Sequence, residues 1–253
     1  MEYRYDGTFP GFLTAIFDIY SRKEQPVAIL RPEEATLLFT EKHEVTTDVI
    51  KSDRVWNGII KTGGEKTGKH LYYAFLSCEK DVEIVLLRYI QYLFSSKKAV
   101  MFDLAHPDVL KIDKLYRTVL GEAHSALMFI RFEQAADGTY FAPFAPKYDI
   151  ISLTLSHFKA RFTDQAWLIY DTFRNYGFYY NKKTIEQIII ENPGFSLKTG
   201  KLLKSATLPD DEKWQELWRI YFKKIAIAER KNLVLQRNFM PKRFWKYLTE
   251  KRI

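Results

Sequence analysis

Leu127-Met128-Phe129-Ile130-Arg131-Phe132-Glu133 and Thr139-Tyr140-Phe141-Ala142-Pro143-Phe144 flank Asp137-Gly138. Further on, Trp167-Leu168-Ile169-Tyr170-Asp171-Thr172-Phe173 and Gly177-Phe178-Tyr179-Tyr180 flank Arg174-Asn175-Tyr176. Aromatic and β-branched residues at this density suit a pleated, half-buried surface, and each pair of runs encloses a turn signal. Between the two pairs, Ile150 to Phe162 has a helical period. The middle of the chain therefore reads strand–strand–helix–strand–strand. The expected fold class is α+β, with an antiparallel sheet built from two aromatic hairpins and many helices packed beside it.

Outward from this centre the pattern is mostly helical. Glu2 to Tyr5 alternates like a short strand, and Thr8 can cap a helix carrying Phe12, Ile16, Phe17 and Tyr20 at helical spacing. Val27 to Leu30 reads as a buried strand ended by Pro32. Helices are expected over 33–41, 48–61, 69–78, 82–95 and 109–125. In the last third, Trp214, Leu217, Trp218, Tyr221, Phe222 and Ile225 form a broad apolar stripe, which places Trp214 and Trp218 in the core. Pro241 suits the first turn of a final helix. No linker or internal repeat interrupts the chain. The expected organisation is an α+β body over 1–194 and a basic helical region over 195–253 packed on it.

Composition bounds the function. The chain has 253 residues, 16% of them aromatic, which excludes disorder. The single Cys78 excludes a disulfide scaffold and a thiolate-held cluster within the chain. No apolar run is long enough to span a bilayer, and the N-terminal residues lack the basic-then-apolar order of a signal peptide. A soluble, cytoplasmic protein without membrane contact is expected. The net charge of +8 is strongly localised: residues 195–253 carry 15 Lys and Arg against 6 Asp and Glu, whereas 1–194 carry 24 against 25. Concentrated positive charge suits a polyanion, because neutralised phosphates release counterions. A solvated helical face would have the same composition.

Motifs for catalysis are weak. Gly63 to His70 fits a phosphate-loop spacing, but His70 stands where Mg²⁺ needs Ser or Thr, and a solvated Gly/Lys turn explains the segment better. The five histidines show no metal-ligand spacing, so neither metal nor cofactor is expected. Polar residues embedded among the aromatic runs carry more weight. Glu122, His124, His157, Arg161, Asp171 and Arg174 could converge as a His/carboxylate/Arg cleft. Alternatively Asp171 is a structural partner of Arg161 or Arg174, since a charge inside a sheet is costly unless paired. In the tail, Lys223, Lys224, Arg230, Lys231, Arg237, Lys242, Arg243 and Lys246, with Trp245 for base stacking, have the composition that single-strand binding uses.

These residues resemble a family of bacterial proteins associated with DNA metabolism and repair, without an established reaction. The resemblance rests on Tyr5-Asp6-Gly7-Thr8-Phe9 through Ala15, Thr47-Asp48, Lys51, Arg54-Val55, Glu122-Ala123-His124, Phe129 to Phe132 and Asp137-Gly138. It continues through His157-Phe158, Arg161-Phe162, Trp167 to Arg174 and Phe239 to Trp245. One departure is Ser125, where many relatives have a basic residue after the histidine. The resemblance implies a DNA-related role and, as partners, a radical-SAM protein or a uracil-DNA glycosylase-like protein. The expected function is thus a DNA-associated accessory or adaptor protein. The alternatives are an enzyme acting on DNA or a nucleobase, and a protein-interaction scaffold. Convergence of the six polar residues in one pocket would favour the enzyme, and dispersal the adaptor.

Overall fold

The structure, a computed structural model, describes residues 1–35, 39–190, 211–225 and 232–251. The chain divides into two compact units, Met1–Leu120 and Gly121–Ile253, so the described basic residues beyond 194 belong to the second unit.

In the first unit, β1 (Glu2–Arg4) lies between β2 (Ala28–Leu30) and β3 (Lys42–Glu44), with both pairings parallel. Helix α1 (Phe9–Arg22) starts where the Thr8 hydroxyl accepts the Gly11 amide, the cap its sequence calls for. Its apolar period buries Phe12, Leu13, Ile16 and Ile19. Helix α2 (Val49–Leu76) begins at Asp48, which accepts the Ile50 and Lys51 amides, and α3 (Val82–Ser96) buries the wide apolar face its spacing predicts.

Two expectations fail in this unit. The helix over 33–41 is absent where it can be seen: Glu33–Ala35 and Phe39–Thr40 are turn or irregular, and 36–38 lie outside the described residues. Strand β3 follows instead. Among the described residues it pairs on one side only, and Lys42-His43-Glu44 has no apolar alternation to announce it. The segment from Gly63 to His70 is not a solvated turn but part of α2, interrupted only at Gly64, where φ is 80° and ψ is 168°. Thr67 and Gly68 are buried there. A Cβ on Gly68 would come within 2.5 Å of Ile60 Cδ1 and 2.7 Å of Trp56 Cη2, so close helix packing explains this glycine and no phosphate cradle exists.

Helix α4 (Pro107–Phe129) contributes its last turns to the second unit. A five-stranded sheet follows in the order β4 (Glu133–Gln134), β5 (Tyr140–Phe144), β6 (Trp167–Asp171), β7 (Tyr176–Tyr180) and β8 (Ile185–Ile188). Both expected turns are present, but the sheet is mixed: β5 and β6 run parallel, and the other three pairings are antiparallel. The reason is the connection. Helix α5 (Ile151–Arg161) joins two neighbouring strands, and a crossover returns the chain in the same direction. The first hairpin is also shorter than its aromatic run, because Leu127–Phe129 stay helical. Ala123, Ala126, Phe129 and Ile130 are all buried, a 3–4 residue period that overrides strand propensity.

The last third contains α6 (Asp211–Ile225), α7 (Leu233–Phe239) and a 3₁₀ helix (Lys242–Tyr247) preceded by Pro241. Phe244 is fully buried, stacked on Phe144 with centroids 4.9 Å apart and 5.6 Å from Phe129. Such a ring pair adds about 0.5–1.5 kcal/mol beyond area burial, which ties the C-terminal residues to the sheet. The α6 stripe does not form a sealed face: Leu217, Trp218 and Tyr221 are 47%, 40% and 54% exposed. The side chains of Trp214, Phe222 and Ile225 lie outside the description. Among the described residues no helix is long and apolar enough to cross a membrane.

Candidate nucleic-acid interface

The six polar residues expected to converge form two groups. Glu122, Asp171 and Arg174 belong to a sealed network. Asp171 ends β6 with no exposure, and its Oδ1 accepts the Phe173 and Arg174 amides, closing the hairpin turn. Its Oδ2 accepts Arg174 Nη1 at 2.8 Å, so the Arg partner is the one three residues along. Burial pushes the Asp171 carboxyl above the usual carboxylate range, against the pull of Arg174 and the two amides. Arg174 also donates to the Pro146 and Lys147 carbonyls. Glu122, on α4, accepts the Lys147 amide at 2.9 Å through Oε1 and pairs with Arg243 through Oε2. Lys147 thus joins the two carboxylates through its backbone. Each carboxylate in this group has a donor, as buried charges require.

His124, His157 and Arg161 occupy a different place. All three are exposed and line a cleft of about 750 Å³. Helix α4 supplies His124, Leu127 and Met128, helix α5 supplies His157, Phe158 and Arg161, and α6 supplies Gln215 and Trp218. His157 and Arg161 share a face because they lie one turn apart. Ile130, Arg131, Phe132, Phe162 and Thr249 complete the wall. Among the described residues no carboxylate lines the cleft. Arg131 is held from behind: its guanidinium donates to the Met128 and Ile130 carbonyls and to Glu250 at 2.9 Å. Trp218 Nε1 donates to the other Glu250 oxygen at 3.0 Å. Burial alone would raise the Glu250 carboxyl. A backbone hydrogen bond, Arg131 and Trp218 together hold it below the usual range. Trp218 is therefore a ring on the cleft wall with its polar edge fixed, rather than the core residue its helical spacing implies.

The basic tail divides as well. Lys223, Lys224, Arg237, Lys242 and Lys246 are exposed, whereas Arg243 is committed to Glu122. Trp245 is half-buried, with Nε1 bonded to the Met240 carbonyl and Lys251 Nζ 5.0 Å from its ring centroid. Arg230 and Lys231 lie outside the described residues. Sequence reasoning missed Phe132, Phe162, Gln215 and Trp218 as cleft residues. The available signal was the aromatic density around Arg131 and Arg161, which reads equally well as core. Among the described residues no group of three or more His, Cys, Asp or Glu converges to hold a metal ion.

Fold and cleft together define a mixed α and β protein with a cationic, aromatic-walled groove, and the six expected polar residues divide between that groove and a separate buried network. Residues 80–250 match the family described as a domain of unknown function, DUF4130, and the chain belongs to that family. No curated protein and no solved structure matches the chain.

Proposed function

We propose that this chain is a DNA-associated accessory protein that receives single-stranded nucleic acid in the cleft bounded by α4, α5 and α6. The observation that supports this most directly is the lining itself. Arg131 and Arg161 can meet phosphate, and Phe132, Phe162 and Trp218 offer ring surface to bases. Lys223 and Lys224, exposed on the last turn of α6, add positive charge on other faces of that helix. Splitting of the six polar residues favours binding over catalysis: of that set only His124, His157 and Arg161 face the cleft. The reaction, on this reading, belongs to the radical-SAM or glycosylase-like partner that the family resemblance implies.

The test is fluorescence anisotropy with labelled single- and double-stranded oligonucleotides over a series of salt concentrations. Steeply salt-dependent binding, tighter for single strands, is the expected result. Salt-independent or undetectable binding would sink the reading. Co-purification of the radical-SAM or glycosylase-like protein, with and without DNA, tests the partner.

A further inference from the structure

Beside the cleft is a smaller recess of about 140 Å³, lined by Phe132, Tyr140, Phe162, Gln165 and Trp167. Phe132 and Phe162 wall both cavities, so the recess adjoins the cleft. Trp167 is only 1% exposed, and its indole N–H finds no acceptor among the described residues. A buried donor without a partner is costly, by about 1–3 kcal/mol, and is rare enough to require an explanation. The Gln165 carboxamide, half-buried, makes no hydrogen bond among the described residues either.

We propose that this recess accepts one pyrimidine base of a bound single strand, reading its carbonyl edge with Trp167 Nε1–H and Gln165. The inference rests on the nucleic-acid reading of the adjoining cleft and names the base that reading leaves open. Size argues for a single ring: a protein cavity of about 150 Å³ holds one benzene. A purine would leave its second ring outside. The walls supply aromatic surface, on which every base can pack. Gln165 supplies an amide that can donate or accept, and the buried Trp167 N–H would become a second donor once the wall yields to a base, a pair that matches the C2 carbonyl and adjacent N3 of a pyrimidine. A quaternary ammonium also suits aromatic walls, but Arg131 and Arg161 line the adjoining cleft and oppose a cation.

The experiment measures anisotropy with short oligo-dT, oligo-dC, oligo-dA and an oligo-dT carrying one abasic site. Wild type should bind the two pyrimidine strands several-fold more tightly than oligo-dA. Trp167→Phe keeps the ring and removes the N–H, and should reduce this preference about three- to tenfold with the salt slope unchanged. If that variant fails to fold, Gln165→Leu carries the same test, with the same direction expected. Equal affinity for dT and dA, or a preference that survives both variants, would overturn the recess proposal while leaving the cleft as a binding site. No binding to any oligonucleotide would overturn both.

Discussion

Two polar clusters in the second unit are each built around an arginine and differ in burial and in the charge that faces it. Around Asp171, each carboxylate is buried and each has a guanidinium or amide donor. Around Arg161, the arginine and the two imidazoles are exposed, and among the described residues no carboxylate lines the cleft, Glu250 pairing with Arg131 from behind it. The sealed group has what a charge needs to survive inside a protein, and the open group lacks the negative charge that a polyanionic ligand would supply. On the proposed function, the first cluster serves stability and the second recognition.

Removing one member of the sealed pair is the strongest way to break that division. Arg174→Ala leaves Asp171 buried opposite no guanidinium, and should destabilise the fold by about 3–5 kcal/mol in urea melts. A loss below about 1 kcal/mol would mean the network is not what holds the hairpin. Phe244→Ala should have a comparable effect, about 3–5 kcal/mol, because the ring is fully buried against Phe144. Near-neutral unfolding data for Phe244→Ala would detach the basic C-terminal residues from the sheet.

The open cluster should respond in the opposite way. Arg161→Gln is expected to leave the melting point nearly unchanged, within about 0.5 kcal/mol. If Arg161 meets one phosphate of a single strand, the slope of log K against log salt should fall by about 0.7. Lys242→Gln with Lys246→Gln should reduce it by about 1.4 if both lysines meet phosphate. Arg243 is left out of that pair because its partner is Glu122, so its removal reports on stability too. Titrations across several salt concentrations separate these cases, and an unchanged slope in every variant would make the cleft charge a solvated face.

How far the sequence reveals this depends on the range of each contact. Helices α1, α3 and α5 are legible because the period and the Thr8 cap are local. Asp171 with Arg174 is legible for the same reason, the two residues lying three apart at a turn. The parallel pairing of β5 with β6 depends on the route of α5 between them, which hydrophobic pattern does not encode. Glu122 with Arg243 spans 121 residues, and Arg131 with Glu250 spans 119. Nothing near Arg131 in sequence distinguishes an arginine braced at a cleft from one buried in a core.

Glu250 offers the smallest effect and the finest test, because it stands behind the open cluster while being nearly buried itself. Its carboxyl is held below its ordinary value, so the folded state binds its proton less readily than the unfolded chain does. The stabilisation is therefore fully present above the unfolded value, about 4.3, and is lost as pH falls through the lower folded value. Glu250→Gln removes that linkage. The variant should be less stable than wild type at neutral pH, and the two should converge in acid, with the wild-type melting point falling more steeply below about pH 4.5. Thermal melts of both proteins between neutral pH and pH 3 measure this directly. Parallel acid limbs would show that Glu250 does not sense its partners, and that Arg131 and Trp218 line the cleft without being braced by it.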